Sequence, residues 1–418
     1  MALNYIWVAF FLVGFVVALI KVAFFGQLDI FTNMMTALFD SAKTGFEISL
    51  GLTAMMALWL GIMKVGESAG VIDLFTRMVR PFFKTIFKNV PDNHPAHGSI
   101  AMNFSANMLG LDNAATPLGL KAMQELQSIN PSKDTASDAQ IMFLVLNTAG
   151  ISIIPTSIIA IRQTMAIEEG IKGFNAADIF LPLLIVTFIS FLGGMIITAI
   201  YQKINLLKWP VIIFAVGFGG LIYGLYSWLS HFPPDQMKTY IGLIGALVIM
   251  LIVVGFILAG TIKKVNVYDN FIEGAKDGFT TAVKIIPYLI AMLAAISVFR
   301  ASGCMDYLLQ GIQYVVAAMG FNTDFVPALP VGLMKPLSGS GARGLMVDVM
   351  KTYGVNSFQG QVAAILQGST ETTFYVLAVY FGSVNIKNTR YAMAAGLLAD
   401  LIGVIASIVV AYIFFYHK

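Results

Sequence analysis

The sequence predicts an all-α polytopic membrane protein made of two inverted repeats, each with a re-entrant hairpin, an interfacial helix and a broken transmembrane helix. Three observations carry this: an extreme apolar composition, long apolar runs interrupted by polar stretches, and an internal match between the halves. Hydrophobic residues make up 58% of the 418-residue chain and charged residues only 11%, with a mean hydropathy of +0.82. Soluble domains carry about 25% charged residues. The net charge of +3 is too small to suggest nucleic acid as a partner. Cys304 stands alone, which excludes an intramolecular disulfide and a metal site built on cysteines.

Runs of roughly 20 apolar residues span the hydrocarbon core. Spans are expected at 4–25, 47–66, 138–162, 176–202, 208–230, 238–262, 280–299, 357–382 and 388–416. The first, from Tyr5 to Phe25, has no basic residue before it and exceeds a signal-peptide core, so it reads as a retained helix. Between Val71 and Phe87, Arg77, Arg80, Lys84 and Lys88 recur opposite Leu74, Phe75, Met78 and Phe82, as in a helix lying in the interface. After the loop from Pro91 to His97 come two half-length runs, about 99–110 and 113–127, each too short to cross alone. A re-entrant hairpin fits them.

The second half repeats the plan. A shift of 233 residues sets Ser41–Phe75 beside Gly274–Leu308 with eight identities in 35 pairs, among them Lys43/Lys276, Gly45/Gly278, Gly70/Gly303 and Asp73/Asp306. An amphipathic piece (Met305–Met319) and a second split element (325–337 and 341–353) follow. Internal symmetry of this kind marks secondary transporters. Four spans per repeat plus one joining helix make an odd number, so the second repeat enters from the opposite face. The expected units are 1–205, a linking helix at 206–232, and 233–418. Arg77, Arg80, Lys84, Lys88, Lys203, Lys208, Lys263, Lys264, Lys387 and Arg390 fall on one side, which places the N-terminus in the cytoplasm and His417-Lys418 outside.

Polar, helix-breaking stretches at membrane depth survive only inside protein or along a wet cavity. In the first hairpin, Asn103 and Asn107 share a helical face, Asp112 and Asn113 start the second arm, and Thr116 follows. Capping alone would explain Asp112 and Asn113. The others need a partner, an ion or a solute, because buried unpaired polar groups are costly. In the second hairpin, Pro336-Leu-Ser-Gly-Ser-Gly-Ala-Arg-Gly344 breaks the helix, and the next half-helix is expected from about Leu345. Its free N–H groups, with Ser338, Ser340 and Arg343, favour an anionic group. Gly339, Gly341 and Gly344 match G-x-G-x-x-G, but no strand precedes them; close helix packing is the plain alternative.

Two spans look discontinuous. The first carries Asn147 and Thr148 before Gly150 and Pro155; the second carries Gln367, Ser369, Thr370, Glu371 and Thr372. Freed carbonyls and hydroxyls of this kind coordinate Na⁺ or receive a proton, and an intramembrane acid is functional by default. Glu371 is the leading residue, as proton carrier, cation ligand or acceptor for a solute donor. A structural hydrogen bond is its plain alternative. Glu67 and Arg300 align, but inverted symmetry puts them on opposite faces, where each anchors the interface. His94 and His97 form H-x-x-H without a third strong ligand, so no metal site is expected. With every histidine in a loop or at the terminus, and no paired carboxylates in the apolar segments, no catalytic set or enzyme activity is expected.

The run Gly110 to Met123 with Asn147 to Arg162 resembles the spore maturation protein A family. Pro336 to Gly344 with Gln367 to Val384 resembles the spore maturation protein B family. Both belong to the Gate, or nucleoside-recognition, superfamily shared with concentrative nucleoside transporters and the membrane part of ferrous-iron transporter B. The resemblance covers nearly the whole chain. It implies interfacial helices, paired hairpins and broken helices around a central site, in a bacterial inner membrane. It also implies a homo-oligomer, because related carriers are often multimers. Ser369-Thr370-Glu371 is similar to the Gln-Thr-Glu of nucleoside transporters but follows the second hairpin, so nucleoside binding is not carried over. The expected function is a secondary transporter or permease for a small polar solute, with no cofactor and with Na⁺ or H⁺ coupling. Arg343 and the glycine-rich turn favour an anionic solute. A non-transporting membrane scaffold is the alternative.

Overall fold

The computed structural model describes residues 2–110, 112–153 and 155–416. Among them the chain is helical throughout, with α1 (Ala2–Phe25), α2 (Ile30–Ser68) and α3 (Val71–Ile86) leading into the first hairpin, α4 (Ala96–Met108) and α5 (Asp112–Ser128). The first broken helix is α6 (Asp138–Thr148) and α7 (Thr156–Glu168), followed by α8 (Phe180–Gln202) and the joining helix α9 (Trp209–Leu229). The second half runs α10 (Pro234–Ile262), α11 (Val267–Ala301), α12 (Cys304–Ala318), hairpin α13 (Leu329–Met334) and α14 (Gly339–Tyr353), broken helix α15 (Phe358–Gly368) and α16 (Thr373–Ser383), and α17 (Ala392–Phe415). Seven of the described helices are long and apolar enough to cross a membrane. The two broken helices complete the crossings.

The centre of the architecture is the crossing of α2 and α11. They run antiparallel: Gly45 lies against Ile290, Gly278 against Ala57, and Ser68 Oγ donates to Asn270 Oδ1 at 2.6 Å. Adding 233 to Gly45 and Ala57 yields Gly278 and Ile290, so the two glycine contacts are mates under a pseudo-twofold axis, as in an isologous interface. Equivalent helices running in opposite directions make the repeats inverted. Small residues let the backbones meet, the usual route to helix packing in lipid.

Both helices exceed their expected spans. With 39 and 35 residues they start at Ile30 and Val267, not at 47 and 280. At 1.5 Å per residue, α2 is ~58 Å long and outreaches a ~30 Å hydrocarbon core. A hydropathy window sees only the apolar part. The polar part stays helical because it packs on its symmetry mate and carries spaced charges such as Lys43–Glu47.

Each long helix ends on a left-handed glycine, Gly70 (φ 79°) or Gly303 (φ 86°), which a side chain would strain. The chain then turns into α3 or α12. In α3 the inward face is Ile72, Val79, Phe82, Phe83 and Ile86, whereas Leu74 and Met78 are exposed. The apolar positions therefore divide between protein and surroundings. Phe83 stacks on Phe104 of α4 at 4.4 Å and Phe82 on Phe214 of α9 at 4.3 Å.

Other expectations shift in the second hairpin. Its first arm is a 3₁₀ turn over 326–328 and the short α13, where Pro327 and Pro330 interrupt the hydrogen-bond ladder. Its second arm begins at Gly339, not Leu345, because Ser338 caps it by accepting from Gly341 N at 3.0 Å. Arg300 and Glu67 do not pair: Arg300 binds Asp348 on α14 through two nitrogens, and Glu67 binds Lys64 at 3.5 Å. Two of the basic residues meet the ends of neighbouring helices. Lys88 donates to the carbonyls of Gln202 (3.1 Å) and Lys203 (3.2 Å), and Arg390 pairs with Asp138 at 2.8 Å. Residues 417 and 418 lie outside the described residues.

A Cβ at Gly278 would fall 2.5 Å from Met56 O and 2.6 Å from Ala57 Cα, whereas one at Gly45 would sit 3.1 Å from Ile290 Cα. Gly278→Ala is therefore expected to destabilise by about 1–3 kcal/mol and Gly45→Ala by less. Thermal unfolding in detergent checks this; equal melting temperatures for the two variants would show that the crossing is looser than described.

Candidate functional site

Two helix breaks meet at the centre of the molecule. In the first, Gly150 and Pro155 prevent α6 from continuing into α7. Proline lacks the N–H that the ladder needs. In the second, no proline is present; Ser369 Oγ donates back to Leu366 O at 2.9 Å, the local competition that weakens helices at Ser and Thr. The freed backbone groups find each other. Glu371 N donates to Thr148 O at 2.7 Å, joining break to break across the repeats. Ile153 N donates to Met108 O at 2.9 Å, and Phe374 N to Pro336 O at 3.0 Å, so each break also holds the hairpin of its own half.

A cavity of about 310 Å³ opens beside this junction. It is lined by Asn107, Ala115 and Thr116 of the first hairpin, Asn147 of the first broken helix, and Glu371, Tyr375, Val376, Val379 and Tyr380 of the second. Asn107 Nδ2 donates to Asn147 Oδ1 at 2.9 Å, and Asn147 Nδ2 donates to Phe143 O at 2.8 Å, which fixes both amides. Glu371 is exposed within the chain. Asn103 lies behind the wall, fully buried, and braces the hairpin by donating to Ala115 O at 2.8 Å. It also reaches Tyr380 Oη at 3.5 Å. That hydroxyl occupies the space a side chain would take at Gly119, 2.4 Å from the position of a Cβ there.

Of the residues singled out in the sequence, Asn107, Thr116, Asn147 and Glu371 therefore share one cavity. Thr148 holds Glu371 through its carbonyl. Others gather at or against the second hairpin, while Ser369 and Thr370 pack against Gly403 of α17. Gln367 Nε2 donates to Gly339 O at 3.4 Å, Thr372 packs on Gly339, and Ser338 lies 3.2 Å from Ser340. Ser369 and Thr370 are buried, and Arg343 is half-buried on α14. None of these lines the cavity. The glycines of this turn serve packing: Gly341 faces Met334 and Gly344 faces Met292. Asp112 and Asn113 begin α5, but their side chains lie outside the described residues.

The histidines need one correction. His97 sits in the first turn of α4, buried, with Nε2 3.3 Å from Val90 O, because the helix starts earlier than expected. Among the described residues no group of three His, Cys, Asp or Glu is arranged to hold a metal. The carboxylates need another. Asp400, in the apolar run of α17, is buried and lies within electrostatic range of Glu371. A lone acid inside a span was the available signal. Tyr375 and Tyr380 are further lining residues, and positions 375, 376, 379 and 380 mark one face of α16.

Residues 49–165 and 282–387 each match the Gate family, described as nucleoside recognition, and together they cover more than half of the chain. The two stretches begin 233 residues apart, the same shift that superposes the repeats. Spore maturation protein B of Bacillus subtilis (strain 168) is 47% identical over 167 residues, which is 40% of this chain and 92% of that protein. Spore maturation protein A of the same organism is 40% identical over 194 residues, 46% of this chain and 92% of that protein. A chain that carries this family's pattern twice, in opposite orientations, belongs to the Gate family.

Proposed function

We propose that the protein is a secondary transporter or permease for a small polar solute, coupled to a cation and working by alternating access as the hairpins move. The observation that carries this is the cavity shared by both halves, with Glu371 exposed inside it. Family membership supports a membrane transport role over catalysis. A volume of about 310 Å³ suits a small solute, at the lower end of ligand pockets.

Its charge points away from an anion. Among the described residues, Glu371 is the carboxylate of the lining, no basic side chain lines it, and Arg343 lies elsewhere. A neutral or cationic solute with donor groups fits the Asn, Thr, Tyr and Glu lining better. Hairpin 1 supplies one wall, whereas hairpin 2 is packed shut by Thr372 on Gly339 and by the Phe374–Pro336 bond. Release of those contacts would open the opposite side. The clustered basic side supports a cytoplasmic N-terminus in the bacterial plasma (inner) membrane.

Comparison of metabolites in cells with and without the protein supplies solutes for uptake into liposomes. Glu371→Gln is expected to abolish uptake or remove its Na⁺ or pH dependence; uptake unchanged in size and in both dependences would exclude Glu371 from transport. Asn147→Ala strands the Asn107 amide and is expected to slow uptake roughly tenfold, about 1.4 kcal/mol, without lowering thermal stability in proportion. Effects confined to stability for both variants would favour a scaffold.

A further inference from the structure

Asp400 gathers polar groups that the cavity does not use. Gly396, Asp400 and Gly403 share one face of α17. A Cβ on Gly396 would fall 2.9 Å from Thr373 Cγ2 and 3.9 Å from Thr148 Cγ2, and one on Gly403 would fall 2.9 Å from Thr370 Cγ2. The glycines thus let the break of the second broken helix lie directly on Asp400. Thr373 Oγ1 donates to Asp400 Oδ2 at 2.5 Å, and Thr370 packs against Gly403 one turn further along the same face. Asp400 is only 4% exposed and sits ~12 Å into α17 at helical rise, near mid-membrane.

Two oxygens at this junction have no hydrogen-bond partner among the described residues: Asp400 Oδ1 and Thr148 Oγ1. Their side chains are at most 4% exposed. They are a carboxylate and a hydroxyl, hard ligands of the kind that hold hard cations. The C-terminal ends of α6 and α15, at Thr148 and Gly368, bring partial negative charge to the same place. Among the described residues, the charged groups that act on Asp400 are Lys335, which has contacts of its own, and Glu371. One monovalent cation matches the single Asp400 carboxylate, which a divalent ion would overcompensate. A proton on Asp400 would make the carboxyl a donor to one neighbouring oxygen, whereas a cation gathers several oxygens at once; dependence on pH rather than on Na⁺ separates the two.

We propose that Asp400, Thr370, Thr373 and Thr148 form a Na⁺ site outside the cavity lining, and that its occupancy reaches Glu371 through the short segment 369–373. The coupling rests on the transport reading; the binding does not. The test is therefore made without solute, on the purified full chain in detergent. Saturable binding of radioactive sodium is expected, with a higher melting temperature in Na⁺ than in choline at equal ionic strength. Asp400→Asn and Thr373→Val should lose both effects. If Asp400→Asn does not fold, Thr373→Val and Thr148→Val, close in shape to the originals, carry the comparison. Absence of saturable Na⁺ binding in the parent chain, or full binding in the variants, would overturn the site. Stabilisation that follows pH but not Na⁺ would also overturn it, in favour of a proton. Na⁺ binding with no uptake of any solute would support the site and count against transport. Uptake without Na⁺ binding would do the reverse.

Discussion

A backbone N–H or C=O released at membrane depth has no water to turn to and costs several kcal/mol if left alone. This chain releases such groups twice, at the ends of α6 and α15, and the bond from Glu371 N to Thr148 O makes each break the partner of the other. The remaining groups reach the hairpins, Ile153 to Met108 and Phe374 to Pro336. Four discontinuous elements from two halves are thereby locked at one point. The polar centre needs no long-range design beyond this constraint, because each interruption requires the other.

The pseudo-twofold axis through α2 and α11 brings the interruptions together from opposite directions. Its contacts are nearly symmetric, as the paired Gly45–Ile290 and Gly278–Ala57 approaches show. The centre is not. On the side of the first hairpin, Asn107, Asn147, Glu371 and the α16 tyrosines leave an open cavity. On the side of the second, glycines and threonines close up against each other. One half is open at the centre and the other closed, an asymmetry that the proposed transport reading uses.

Much of this was legible in the sequence. The 233-residue repeat, the odd number of crossings and the half-length runs fix an inverted architecture, since they depend on hydropathy and count alone. The full reach of α2 and α11 was not legible, because their polar segments are stabilised by packing on each other. Ser338 carried the capping signal that moves the start of α14 to Gly339, but the glycines after it drew attention to free N–H groups. Asn103 reads in sequence like Asn107, yet one braces the hairpin and the other lines the cavity; only the position of Ala115 O separates them. Asp400 was hidden in plain view, a single acid in an otherwise apolar run. Its meaning depends on Thr373, 27 residues away, meeting it across two glycines.

The claim on which the rest depends is that the first hairpin and the second broken helix enclose one common space. With Cys304 replaced by serine, Thr116→Cys and Tyr375→Cys in separate variants would be exposed in oriented vesicles to a membrane-impermeant thiol reagent. Labelling of both positions from the same single face, with each slowed by a bulky residue at the other, is the expected result. Labelling from opposite faces, or of one position only, would contradict a shared cavity.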